Sequence, residues 1–406
     1  MGRGYARGVA PTLTSPPRVL IAGGGVAGLE AALALRKLLG DDVAMTMLTP
    51  EAEFVYRPMA VAKPFGRGNA RRHRLADIAE QLGFTLRVGS LQRVAGASRT
   101  AVTSAGETLG YDALIVAVGA ESEPAFGSRT LTWTPEADSQ IYGGLLADFE
   151  EGYSKRLAFV VPDHAHWPLP AYELALMTAW DLQSMGQDDV EIVVYTHEAR
   201  PLEIFGASGS AALEADLEEA GVRVETGTRV SIDPDGHLVA EPGGHDLRNQ
   251  RVVALPRAAG RPVEGLPSDD RGFIPTDPFG RVAGAEGVWA AGDVTAYPIK
   301  QGGLAAQQAD VVAASIAALA GADVEPRPFE PVLRGVLLTG RGSAWMRHDL
   351  TAETDADTAD RHALFWPPTK IAGRYLSPYL ASLDGADNAA RPSGELVDVD
   401  LGDRTA

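Results

Sequence analysis

A chain of 406 residues is too long for one ordinary core and long enough for two or three domains. Its 45% apolar and 22% charged residues suit a soluble globular protein, and its 45 glycines and 27 prolines follow no Gly-X-Y period, so disordered and collagen-like chains are excluded. A net charge of −18 weighs against nucleic acid and anionic lipid as partners, and the absence of cysteine excludes disulfides, thiolate nucleophiles and Cys-ligated metal centres.

Residues 1–17, with two arginines and no apolar run behind them, read as a flexible leader rather than a secretory signal. A cytoplasmic location is the default expectation. No stretch approaches the roughly 20 apolar residues of a membrane span. Arg18-Val-Leu-Ile-Ala22 reads as a buried strand. It runs into Gly23-Gly-Gly25-Val26-Ala27-Gly28, a helix over 26–39 and a second strand over 43–48. In the loop 65–74 the cluster Arg67, Arg71, Arg72, His73 and Arg74 reads as a solvated loop and helix start. Tyr111-Asp112-Ala-Leu-Ile-Val-Ala-Val-Gly119 is another buried strand. From about residue 125 the pattern restarts, with strands over 156–161, 191–195, 222–225, 237–240 and 251–256 and helices over 171–185 and 208–220. Gly287-Val-Trp-Ala-Ala-Gly292-Asp293 returns to the first style, and a long helix spans 304–320. A strand over 332–339 and an aromatic, Pro-rich segment over 365–379 precede an acidic tail.

This order predicts an α/β fold: two Rossmann-like three-layer domains, the first discontinuous, plus a C-terminal α+β interface domain. The expected divisions are a leader over 1–17, a first domain over 18–124 and 257–320, a middle domain over 125–256, a C-terminal domain over 321–386 and a tail over 387–406.

Gly23-x-Gly25-x-x-Gly28 follows a strand and opens a helix, the context the dinucleotide fingerprint requires. One glycine permits the tight turn, one lets backbone approach a pyrophosphate, and one lets helix and strand pack closely. Val26 and Ala27 stand between them at the helix N-terminus, where free N–H groups and the dipole favour an anion. The second strand should end in an acid that holds a ribose hydroxyl. Thr49-Pro50 occupies that spot, and Glu51 is the nearest carboxylate. His164 and His166 are two apart, but no further His or acid run has ligand spacing, so no metal site is expected.

Together, the glycine turn, the strand ending at Gly119 and the strand ending in Gly292-Asp293 resemble the FAD signatures of the two-dinucleotide-fold flavoproteins, the FAD-dependent pyridine nucleotide-disulfide oxidoreductase superfamily. The resemblance implies a noncovalent FAD with its pyrophosphate on Gly23, Gly25 and Gly28, its adenosine ribose at Glu51 and its ribityl chain at Asp293. It also implies that the helix after Lys300-Gln301-Gly302 points its N-terminus at the flavin pyrimidine ring, where it would stabilise the charge of the reduced ring. Lys300 either adds charge there or is exposed.

Within that superfamily the chain looks most like sulfide:quinone oxidoreductases. The likeness runs across most of 18–386 and includes Gly292-Asp293-Val, Lys300-Gln301-Gly302-Gly and Trp366-Pro-Pro-Thr-Lys370-Ile-Ala-Gly-Arg-Tyr375. Those enzymes capture sulfide with redox cysteines. This chain has none, so that route and dithiol reductase chemistry are excluded. The middle domain is where the family binds NAD(P)H, yet its first turn reads Pro162-Asp-His-Ala-His166-Trp167-Pro168-Leu-Pro170. It holds no glycine, two bulky rings and prolines that lack N–H donors, which predicts weak or no NAD(P)H binding in the usual mode.

In the related enzymes the C-terminal part covers the flavin and helps to form a quinone site. Phe365, Trp366, Tyr375 and Tyr379 either line a flat apolar pocket, with Lys370 bonding a carbonyl, or pack a subdomain interface with Lys370 at its rim. Lys300, Lys370 and Tyr297 are the only side chains offered for a catalytic role. Three readings follow. The first is an FAD enzyme passing electrons from a non-thiol small-molecule donor to a quinone-like acceptor. The second is an NAD(P)H-dependent flavin or quinone reductase resembling type-II NADH dehydrogenase. The third is a non-catalytic flavin-binding module. A homodimer through 321–386 is left open.

Overall fold

The computed structural model describes residues 13, 16–68, 70–136, 139–352 and 356–383. The expected leader lies largely, and the acidic tail wholly, outside the described residues. Strand Arg18–Ala22 is buried at every position after the first, because it runs in the middle of a sheet with helices on its faces. That sheet is parallel throughout, in the order Val288–Ala290, Ala113–Val116, Arg18–Ala22, Ala44–Thr49, Thr85–Val88. Its edge strand Val288–Ala290 comes from far downstream, so the first domain is discontinuous in sequence. Asp112 ties the central pair: Arg18 N and Nε donate to Oδ2 at 2.8 and 3.1 Å, and Nη2 to Oδ1 at 2.9 Å.

Helices Val26–Leu39 and Gly302–Leu319 share one face of this sheet. Their contact is built from alanines, among them Ala27, Ala31, Ala305, Ala309 and Ala313, whose small side chains let two helices approach closely. A second parallel sheet runs Leu131–Thr132, Arg251–Ala254, Arg156–Val161, Glu191–Thr196, Arg223–Glu225, with helices Leu169–Ser184 and Gly206–Glu219. The fold is therefore the expected α/β pair of Rossmann-like units.

A third sheet of strands Val332–Leu338, Ser343–Asp349 and Asp357–Asp360 is antiparallel. It docks on the second unit around Phe205. A Cβ on Gly335 would stand 2.4 Å from the Phe205 ring, so that position must be glycine. Two of its strands and the helix Leu376–Leu383 were not expected from the pattern. One expectation is corrected in part: the arginine cluster is mostly exposed, as expected, and a helix follows it at Leu75, but its last four residues form a strand. Arg71–Arg74 is a strand, paired with Glu53–Tyr56, and Arg72 and Arg74 are spent on Glu53 and Asp77 at 3.1 and 3.3 Å.

Candidate functional site

All three sheets meet around one cavity of about 370 Å³. The first unit contributes Gly25, Val26, Ala27, Gly119, Gly292 and Asp293, together with Lys300, Gln301 and Gly302. The second contributes His166, Trp167 and Glu173, and the C-terminal part Gly335, Val336, Lys370 and Ile371. Most of the residues singled out from sequence thus stand on one wall. Gly23, Gly28, Glu51 and Tyr297 do not line it.

Gly23 and Gly28 act beneath the surface. A Cβ on Gly23, held at φ +125°, would fall 2.1 Å from the Ala117 carbonyl oxygen, and one on Gly28 would fall 2.0 Å from that of Gly23. Gly25 is the reverse case. A Cβ there would meet none of the described residues within 4 Å, so the backbone is bare where it faces the cavity. Gly25 also N-caps Val26–Leu39 with no side chain bonded to the helix's first amides. Glu51 lines a separate depression with Glu53, Arg72 and Arg74. Tyr297 packs edge-on against Phe329 at 5.3 Å, and burial pushes its hydroxyl pKa up.

Asp293 is half-buried on the cavity wall, and no hydrogen bond to its carboxylate is made among the described residues. Burial raises its pKa and the Lys300 ammonium opposes the rise. Lys300 is buried rather than exposed, at 9%. Its Nζ donates to the carbonyls of Thr295 and, at 2.7 Å, Tyr297, and lies 3.8 Å from the Phe273 ring centre. Burial lowers its pKa to about 8, against the pull of Asp293 and Asp269. Gln301 N-caps Gly302–Leu319: its Oε1 accepts from Leu304 N at 2.9 Å, while Nε2 donates to the Arg334 carbonyl at 3.2 Å. Ile371 lies over the start of this helix, so close that a Cβ on Gly302 would stand 2.9 Å from it.

The aromatic cover is corrected. Phe365 packs with Val336 and Ala372, Tyr375 and Tyr379 pack on the first core, and none of Phe365, Trp366, Tyr375 or Tyr379 lines the cavity. Lys370 and Ile371 reach it instead. Lys370 is not at a rim: its Nζ meets both oxygens of Glu173 at 2.5 and 2.6 Å, with both side chains buried. Burial drives both groups toward their neutral forms, and each charge holds the other. Glu173 Oε1 also accepts from Leu338 N at 2.8 Å, so one carboxylate joins the second unit to the third sheet and to residue 370. Sequence reading left Glu173 without a role. No spacing rule links residues so far apart in the chain.

The second unit's first turn is filled by its own side chains. His164 takes φ +63° there, a conformation that glycine adopts freely. Trp167 stacks edge-on against Phe205 at 5.9 Å, and Pro168 caps the following helix. Asp163 is taken by Arg229 at 3.0 Å. Glu198, two residues past strand Glu191–Thr196, is buried, and its Oε2 accepts from Tyr172 at 2.6 Å and Thr196 at 2.9 Å. No described helix is long and apolar enough to cross a membrane.

The family described as pyridine nucleotide-disulphide oxidoreductase matches residues 17–133 and 172–313. The break between the two matched parts spans the proline-rich turn. No curated protein matches the chain. Among solved structures it is similar to the sulfide:quinone oxidoreductase of the hyperthermophilic bacterium Aquifex aeolicus, with TM-score 0.72 and 17% identity over 85% of this chain and 87% of that one. It is also similar to the ferredoxin reductase of the CYP199A2 system from Rhodopseudomonas palustris, with TM-score 0.62 and 18% identity over 82% and 83% of the two chains. A NAD-dependent persulfide reductase from A. fulgidus gives TM-score 0.59 and 19% identity over 84% of this chain and 65% of that one. At these identities the likeness is one of fold.

Proposed function

The chain belongs to the pyridine nucleotide-disulphide oxidoreductase family and is an FAD-dependent oxidoreductase, and from that premise we propose that it passes electrons from a non-nicotinamide donor to a quinone-like acceptor. The observation that carries this reading is the closed turn of the second unit. A nicotinamide dinucleotide needs bare backbone amides at that turn and a free acid past the second strand. Here Pro168 and Pro170 have no N–H to offer, Trp167 fills space against Phe205, and Glu198 is buried with its Oε2 accepting from Tyr172 and Thr196.

The first unit's residues fit a noncovalently held FAD. The bare backbone at Gly25 and the uncapped start of Val26–Leu39 suit a diphosphate. The unbonded Asp293 carboxylate suits a ribityl hydroxyl. Glu51, in its neighbouring depression, is the proposed ribose ligand. FAD, when bound, supplies a carrier that takes up an electron pair and gives it on. Gly302–Leu319 presents its N-terminal, positive end to the cavity, and Lys300 places a buried ammonium beside Asp293.

The acceptor side rests on apolar walls and one proton source. Val61, Trp133, Leu169, Val336 and Ile371 give the cavity apolar walls. Lys370 holds a proton at Nζ, where a carbonyl oxygen of a bound ring can take it, and Glu173 stabilises the charge while it waits.

The test is an anaerobic NADH titration that follows the flavin visible band. The expected result is a band that NADH leaves unchanged, that photoreduction bleaches, and that a water-soluble benzoquinone restores. Fast, stoichiometric bleaching by NADH would assign the second turn to nicotinamide after all.

A further inference from the structure

The third sheet carries two arginines that no described acid answers. In strand Val332–Leu338, Leu333, Gly335 and Leu337 face the second unit around Phe205. Successive residues of a strand point to opposite faces, so Arg334 and Val336 face the other way. On the neighbouring strand Arg347 stands directly opposite Arg334, and Trp345 opposite Val336. Arg334 is 7% exposed. Its Nε is sealed from solvent without an acceptor, while its terminal nitrogens are not sealed, so the end of the guanidinium reaches the surface. Arg347 beside it is half-buried.

Neither guanidinium makes an ion pair or a hydrogen bond among the described residues. Asp349, on the same face, attracts both from a distance, and its carboxylate accepts from Thr351 N at 3.1 Å and Thr351 Oγ1 at 2.9 Å. Asp360, opposite Trp345 on the third strand, accepts from His362 N at 2.7 Å. Burial, and then the Arg347 charge, lower the Arg334 pKa to about 10, which leaves it charged at neutral pH. Like charges directly opposite on a sheet repel, and a buried cation is costly unless it is paired. Carboxylates are not scarce in a chain with 54 acidic residues against 36 basic ones, yet none of the described ones is spent here.

We infer that Arg334 and Arg347 form a binding site for an oxyanion, a phosphate or carboxylate group whose oxygens accept from the two guanidinium groups side by side. A guanidinium only donates, and its planar fork matches two oxygens of one anionic group. Neither arginine lines the flavin cavity, so the inference stands apart from the proposed function.

The probe is inorganic phosphate, added to the flavin-loaded protein at constant ionic strength with chloride as the balance. Phosphate at about 10 mM should raise the melting temperature by about 2 °C, and chloride should not. Acetate is run in parallel. A larger rise with phosphate assigns the site to phosphate groups, and a larger rise with acetate assigns it to carboxylates. Arg347→Gln should weaken binding of the preferred anion about tenfold or more by calorimetry and leave the flavin spectrum unchanged. Arg347→Glu sets a carboxylate opposite Arg334. Its melting temperature without added anion should exceed the parent's and should no longer respond to phosphate or acetate. No rise with either anion, a rise that survives Arg347→Glu, or an Arg347→Glu protein that melts below the parent overturns the inference.

Discussion

The two Rossmann-like units repeat one plan, a buried parallel strand, a turn and a helix, and differ in what fills the turn. In the first, the carbonyls of Ala117 and Gly23 stand so close that no Cβ fits at 23 or 28, and the backbone is left bare at 25. In the second, His164 adopts a left-handed conformation despite its Cβ, prolines remove donors, and Trp167 occupies the space. Topology offers two nucleotide crevices, and side chains decide which one stays open. The helices keep a common device. Glu30 and Glu173 are each the fifth residue of the helix after the turn, and both are buried. Both grip the C-terminal segment. Glu173 holds Lys370, and Glu30 accepts from Tyr375 N and Leu376 N at 2.7 Å each.

The sharpest break in this comparison comes at the second helix. Lys370→Met leaves the Glu173 carboxylate buried without its cation, which should cost about 3–5 kcal/mol in a urea melt. Glu173→Gln added to it should return most of that loss, because no charge then remains to be buried. At the first turn, Gly28→Ala forces a methyl into the Gly23 carbonyl. A loss of about 3 kcal/mol, with flavin content falling in the purified protein, is expected. Unchanged flavin content would mean that the open turn is not the diphosphate cradle. Asp293→Ala removes one charge-assisted hydrogen bond, so flavin affinity should fall by about 1.5–3 kcal/mol, read by equilibrium dialysis, with little change in melting temperature.

Much of this contrast was legible in the sequence, and for different reasons in each place. Strands buried on both faces read as unbroken apolar runs such as Val19–Ile21, and the glycine spacing at 23, 25 and 28 has few other uses. The missing glycine in the second turn was equally plain. The C-terminal part was not. Its strand Ser343–Asp349 buries only Ala344 and Met346 on one face before His348 interrupts it, and sets Trp345 among polar Ser343, Arg347 and Asp349 on the other. Aromatic residues at 365–379 suggested a pocket, yet the cavity takes the lysine and isoleucine between them. Which side chain of a segment faces inward depends on partners hundreds of positions away, here Glu30 and Glu173, and no local pattern encodes that.

The smallest predicted effect concerns the first helix's acid. Glu30 receives two backbone N–H groups and stands against Asp310 of Gly302–Leu319. Burial, and then the Glu30 charge, push the Asp310 pKa well up, while Arg374 pulls it down. Asp310 therefore holds a proton in the folded protein that it loses readily when unfolded. A carboxyl with a raised folded pKa contributes stability that is complete below its unfolded value, near 3.8, and that is lost as pH rises toward the folded value. Asp310→Asn keeps a donor for Glu30 and cannot ionise. Its stability relative to the parent should grow with pH from about 4 upward, reaching on the order of 1 kcal/mol. Parallel curves for parent and variant across that range would place the proton elsewhere, and the two helices would then share a buried acid without sharing its protonation.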